Sequence, residues 1–123
     1  MKKKLIFAHV EDDEACSQLL EAHLRRSLGD GIDFTWIACK PASMNVFSAC
    51  DVIILDGHIP GWDNHIIEVE NFNKRSILFI WSACAQKCSK YSQMGFKCYL
   101  KSGDLAPLCG AILDAVSEET MLT

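Results

Sequence analysis

The sequence predicts an α/β protein of (βα)5 type: a doubly wound, parallel, five-stranded sheet with helices on both faces. Three observations predict it. Short apolar runs recur five times along the chain. Stretches with the apolar spacing of a helix separate them. A carboxylate, a hydroxyl or an amine stands where most of these runs stop. Strands alternating with helices imply parallel pairing through crossover connections.

The elements follow in order. LIFAHV, residues 5–10, is a short buried strand. A helix occupies residues 11–29, with Cys16, Leu19, Leu20, Leu24 and Leu28 at helical spacing. Acids open it, Arg25 and Arg26 close it, in keeping with the helix dipole, and Gly29 is its stop. DFTWIAC, residues 33–39, is the second strand, and residues 41–50 are a short helix or a loop. DVIIL, residues 51–55, is the third strand. Ile66, Ile67, Val69 and Phe72 mark a helix over residues 62–74. SILFIW, residues 76–81, is the fourth strand, followed by a helix over residues 84–95 that ends near Gly95. KCYLK, residues 97–101, is the fifth strand. In the last helix Leu105, Leu108, Cys109, Ile112, Leu113 and Val116 fall on one face, with Asp104 as N-cap and Pro107 in the first turn. The tail from residue 117 is polar and expected to fray.

The 123 residues make one domain, long enough to bury a core without staples. A net charge of -4 argues against nucleic-acid binding by bulk charge. Seven cysteines, an odd number at irregular spacing, read as buried reduced thiols; only Cys84 and Cys88 are placed to share a helix face, and no second pair has zinc spacing. No apolar run reaches the ~18 residues of a membrane span, and the start of the chain lacks a signal-peptide pattern, so a cytoplasmic location is expected.

Ligands of open α/β sheets bind beyond the carboxyl ends of the strands, where the strand order reverses. Strand one ends in Glu11, Asp12 and Asp13; strand three in Asp56; strand four in Ser82; strand five in Lys101. In the order 2-1-3-4-5 the reversal lies between strands one and three. Asp12 and Asp56 then flank one crevice. Singly, Asp56 reads as a turn residue, Ser82 as a cap and Lys101 as a solvated lysine. Only a shared site explains all of them on one edge.

VEDDE after strand one, LDGHIPG after strand three, WSA after strand four and YLKS after strand five resemble the receiver domain of two-component response regulators, of the chemotaxis-regulator kind, with its flavodoxin-like fold. The resemblance runs from residue 3 to about residue 119, and it makes residues 1–123 a single receiver domain. It implies that Asp56 is the phosphoacceptor, with Lys101 and Ser82 as its phosphate partners. It implies a metal site of Glu11, Asp12, Asp56 and the backbone carbonyl of His58, taking Mg²⁺ or Mn²⁺. Crowded carboxylates with phosphate oxygens suit such a hard cation. A carboxylate accepts a phosphoryl group once cations neutralise the charge. Asp13 and Glu14 read as helix-capping acids, His9 as a core histidine, His58 as exposed beside the site, and His23 and His65 as helix-surface residues.

Three positions depart from the family pattern. Ser102 replaces the usual proline after the lysine, and Asn64 replaces a glycine after the strand-three loop. Cys98 stands where the family carries the aromatic that rotates with the hydroxyl; Tyr99, one residue later, points to the other face by strand alternation unless the register shifts.

The expected function is that of a phosphorelay receiver, phosphorylated by a histidine kinase or a histidine phosphotransfer protein. It is not an enzyme beyond its own phosphotransfer and autodephosphorylation. Its downstream protein partner binds the face of the fourth helix, fifth strand and fifth helix, around Lys87, Lys90, Lys97 and Tyr99. Neither nucleic acid nor membrane is an expected partner. The alternative is a degenerate, non-phosphorylated receiver acting as an interaction module. A phosphatase of the haloacid dehalogenase type fits less well, because His58 stands where that family needs a second Asp.

Overall fold

The computed structural model describes residues 4–11, 13–28, 33–39, 50–56, 77–101 and 104–121, with only the backbone at residues 39, 56 and 118–121. Five strands are present: β1 (Lys4–Val10), β2 (Asp33–Cys39), β3 (Val52–Asp56), β4 (Ile77–Ser82) and β5 (Lys97–Leu100). Three helices are described: α1 (Glu14–Leu28), α2 (Ala85–Gln93) and α3 (Ala106–Met121). The expected elements at residues 41–49 and 62–74 lie outside the described residues.

The strands form one sheet in the order β2-β1-β3-β4-β5, and every pairing is parallel. The expected doubly wound α/β sheet, with the flavodoxin-like strand order, is therefore present. Its central strands are apolar throughout because both faces are covered. Val52, Ile53, Ile54 and Leu55 are all buried, as are Phe79, Ile80 and Trp81.

Strand alternation sorts these side chains into two cores. Leu5, Phe7, Phe34, Val52, Ile54, Phe79 and Trp81 meet Leu20, Leu24 and Leu28 of α1 and Leu108, Cys109, Ile112 and Val116 of α3. Ala8, Val10, Ile53, Leu55 and Ile80 meet Tyr91 of α2, with Phe96 and Cys98 packed beside them. The sheet is thus sandwiched between α1 and α3 on one face and α2 on the other.

Local chemistry sets the helix ends. Asp13 Oδ1 accepts from the amides of Ala15 at 3.0 Å and Cys16 at 3.3 Å, capping α1 as expected. Asp104 Oδ1 accepts from the Ala106 amide at 3.0 Å and caps α3. Gly95, with φ +95, follows α2 and takes the left-handed conformation that ends it.

The buried line of α1 runs Ser17, Leu20, Leu24, Leu28, while Leu19 is 58% exposed, contrary to its place in the expected apolar set. A serine takes the inward position of the first turns because its hydroxyl has partners below it, described in the next section. α3 continues to Met121, past the expected start of the tail; no glycine or proline after Gly110 interrupts it. Among the described residues no helix is long and apolar enough to cross a membrane.

Candidate functional site

The candidate site residues lie along the carboxyl edge of the sheet. Register places its residues level with one another: Val10 pairs with Leu55, so Glu11 and Asp56 follow side by side on β1 and β3. Asp56 pairs with Trp81 of β4, and Ser82 pairs with Leu100 of β5. The order reverses between β1 and β3, since β2 lies on the far side of β1. Glu11 and Asp56 therefore stand at the two strand ends between which the order reverses, the place where such sheets bind ligands.

Glu11 is a buried acid at this edge. Its side chain is 2% exposed, and Oε2 lies 2.7 Å from Lys101 Nζ. Oε1 accepts from the Asp13 amide at 3.3 Å. The Lys101 side chain is 17% exposed and passes 4.8 Å above the Trp81 ring. Its backbone amide donates to the Ser82 carbonyl at 2.7 Å, which ties the end of β5 to the end of β4. A buried carboxylate needs such a charge partner.

Ser82 is buried. Its Oγ accepts from the Cys84 amide at 3.1 Å and lies 3.5 Å from the Cys84 carbonyl. The hydroxyl thereby folds the turn into α2, and its movement would pull on that turn. The structure thus brings Glu11, Lys101 and Ser82 to one edge, with the backbone of Asp56 at the same level. Asp12, His58 and the side chain of Asp56 lie outside the described residues. Among the described residues, no three His, Cys, Asp or Glu side chains converge as a metal-binding group. The oxygen chemistry of Glu11, already drawn to a cation, suits the hard divalent ion that the full acid set implies.

The two positions at the switch separate cleanly. Tyr99 packs on the α1/α3 face, 6.1 Å from the Phe79 ring. Cys98 packs on the opposite, α2 face, and pairs in register with Ile80. No register shift brings Tyr99 into the place of Cys98. Burial, and then a hydrogen bond with Cys88, raise the Cys98 thiol above its ordinary range. Burial, and then the Asp51 charge, raise Cys50; burial alone pushes Cys109 up to about 11. Among the described residues no disulfide joins Cys84, Cys88, Cys98 or Cys109.

Sequence reasoning gave no role to Ser17 or Trp36. Ser17 Oγ lies 2.9 Å from His9 Nδ1 and accepts from Trp36 Nε1 at 3.1 Å. His9 is wholly buried, as expected of a core histidine, and its Nε2 is 3.8 Å from Glu11 Oε2. The signal was a serine on the apolar stripe of α1 beside a histidine in an otherwise apolar strand.

No family model matches this chain, and no curated protein matches it in sequence. Among solved structures it is similar to a response regulator protein from Burkholderia pseudomallei, crystallised with a phosphorylated aspartic acid, a calcium ion and citrate. The two share 16% sequence identity with a TM-score of 0.65, over 97% of this chain and 75% of that one. At that identity the likeness establishes the fold: this chain has the flavodoxin-like fold of a response regulator receiver.

Proposed function

We propose that the chain is a phosphoacceptor receiver domain of a two-component phosphorelay, working in the cytoplasm. The observation that carries this reading is the pairing of Glu11 with Lys101 at 2.7 Å on the carboxyl edge, beside the ends of β3 and β4. That edge collects one buried acid, one amine and one buried hydroxyl next to the reversal of strand order, and packing alone gives no reason for it. The similar response regulator, with its phosphorylated aspartic acid and calcium ion, supports the same reading.

In this reading an oxygen of Asp56 attacks the phosphorus of a phosphohistidine on a kinase or phosphotransfer protein. The new O–P bond forms as the P–N bond breaks, and the imidazole departs and takes up a proton. Lys101 supplies a point charge to the transferred group, and Ser82 donates a hydrogen bond to it. Glu11, Asp12, Asp56 and the carbonyl of His58 would hold Mg²⁺ or Mn²⁺, whose charge neutralises the crowded oxygens. Water later cleaves the acyl phosphate, and the chain has no other turnover. The downstream partner reads the face of α2, β5 and α3, where Lys87, Lys90, Lys97 and Tyr99 lie. The structure places Lys90 and Lys97 at the surface there.

The test is chemical. With Mg²⁺ and a small phosphodonor, the wild-type protein should gain a phosphoryl group labile to hydroxylamine. Asp56→Asn should gain none, and equal labelling of that variant would place the phosphoacceptor elsewhere. A second reading, a non-phosphorylated interaction module, is favoured by one observation: a cysteine on the α2 face at the place of the switch aromatic. Wild-type protein that never labels would support it.

A further inference from the structure

A line of side chains on the α1 face of the sheet, partly buried at Trp36 and buried from Ser17 onward, ends on Glu11. Trp36 of β2 donates its indole N–H to Ser17 Oγ at 3.1 Å. Ser17 Oγ lies 2.9 Å from His9 Nδ1. His9 Nε2 faces Glu11 Oε2 at 3.8 Å. His9 has 0% exposure and Ser17 3%, so the contact between them is closed to bulk water. Trp36 and Trp81 flank the imidazole, with ring centroids 5.6 and 5.9 Å away, and hold its plane.

The Glu11 carboxylate beside Nε2 decides where the imidazole proton sits. An indole N–H only donates, so Ser17 Oγ accepts from Trp36. The serine oxygen has a second lone pair, so it can either give its hydrogen to His9 Nδ1 or accept from an Nδ1–H, and the choice falls to the other ring nitrogen. A neutral imidazole that accepts at Nδ1 carries its proton on Nε2. That proton faces the Glu11 carboxylate. The reverse tautomer would aim a lone pair at a carboxylate oxygen.

We infer that His9 is a positioning residue for Glu11: its Nε2 proton orients the carboxylate, and Ser17 and Trp36 hold the ring that carries it. The inference rests on the phosphoacceptor reading for its consequence. Glu11 Oε2 is shared between Lys101 at 2.7 Å and His9 at 3.8 Å. The longer distance exceeds a hydrogen bond and leaves an electrostatic attraction. When Lys101 turns to a phosphoryl group, Oε2 loses its closer partner. A small shift of the carboxylate then brings it within hydrogen-bond reach of His9, which keeps Glu11 aimed at the cation site. A histidine that touches a metal-binding carboxylate from behind tunes its orientation and basicity.

Imidazole nitrogen NMR on the whole chain, without metal or phosphodonor, tests the tautomer directly. The wild type should give the Nε2–H form of His9, and Lys101→Ala should shift the Nε2 resonance as Glu11 closes on it. An Nδ1–H form, or a His9 signal indifferent to Lys101→Ala, overturns the proposal. Ser17→Ala keeps the imidazole and its packing, and should leave the Nε2–H form, which Glu11 sets. Mg²⁺ titration by calorimetry supplies the second readout. His9→Phe keeps the ring between the tryptophans and should weaken Mg²⁺ by about 2- to 3-fold, less than one lost hydrogen bond because the contact is 3.8 Å long. In a Glu11→Gln background it should have no further effect. A loss of folding stability with unchanged Mg²⁺ affinity makes His9 merely structural and also overturns the proposal. If His9→Phe does not fold, Ser17→Ala carries the titration, with a smaller loss expected in the same direction. Wild-type protein that neither binds Mg²⁺ nor labels at Asp56 defeats the phosphoacceptor reading instead, while the tautomer and its response to Lys101→Ala still decide the role of His9.

Discussion

Lys101 and Glu11 meet at 2.7 Å although they follow β5 and β1, with β3 and β4 between them. Neighbouring strands lie about 4.8 Å apart, so the contact bridges three such spacings above the sheet edge. Only two long side chains can do this, and the Lys101 ammonium is steered by the Trp81 ring below it. The pair ties the end of β5 to the end of β1 over the ends of β3 and β4.

Breaking that pair should be costly in one direction only. Lys101→Met removes the cation beside a buried carboxylate and is expected to lower stability by about 2–4 kcal/mol in urea. Adding Glu11→Gln should recover about 1–3 kcal/mol of this, because the buried charge goes too. Strictly additive losses in the double variant would mean that the two groups are not coupled.

The neighbouring acids should divide by role. Asp13 caps α1 through the amides of Ala15 and Cys16. Asp13→Ala is expected to cost about 1 kcal/mol of stability and to leave Mg²⁺ affinity nearly unchanged. Asp12→Ala should abolish Mg²⁺ binding and phosphorylation. Metal titrations that fall equally in both variants would put the end of the functional acid run one residue away.

Alkaline pH should loosen the fold through its buried thiols. Burial raises Cys109 from 9.0 to about 11, and Cys50 and Cys98 are raised as well. A raised pKa keeps the thiol protonated in the folded chain while the unfolded chain has begun to ionise. The folded state then binds more protons. Its stability is complete below about pH 9 and falls as pH climbs towards the folded values, by up to about 1.4 kcal/mol per pH unit for each such thiol. Denaturant midpoints between pH 8 and 11 measure this. Cys109→Val should flatten part of the slope, and an unchanged slope would remove Cys109 from the account.

The switch should be real but weak. With beryllofluoride bound, amide shifts are expected at Ser82, Ala83 and Cys84, continuing into α2 and β5. Ser82 Oγ binds the turn that starts α2, so its motion passes to that helix. Coupling of about 1–3 kcal/mol corresponds to roughly 5- to 150-fold in partner affinity, and the low end is expected with a cysteine at position 98. Shifts confined to the loops after β1 and β3 would exclude this output face.

Much of this was legible in the chain itself. Apolar runs such as VIIL are buried on both faces, which requires a covered parallel sheet. The residues ending those runs then share an edge, so Glu11, Asp56, Ser82 and Lys101 could be grouped before any coordinates. Strand alternation also foretold that Cys98 and Tyr99 face opposite sides. These are local properties, set by a period of two along a strand and a reversal of order between strands.

Tertiary structure alone decided the pairings. Nothing in the spacing says that Lys101 meets Glu11, 90 residues away, because the contact depends on four strands lying side by side. Nor does helical periodicity reveal that Ser17 turns inward while Leu19 faces solvent. That choice is made by the buried imidazole of His9 on β1 and the partly buried indole of Trp36 on β2, both of which bond the hydroxyl. A chain's periodicity determines which face a side chain shares, while the polar partner it finds there depends on what the folded sheet brings alongside.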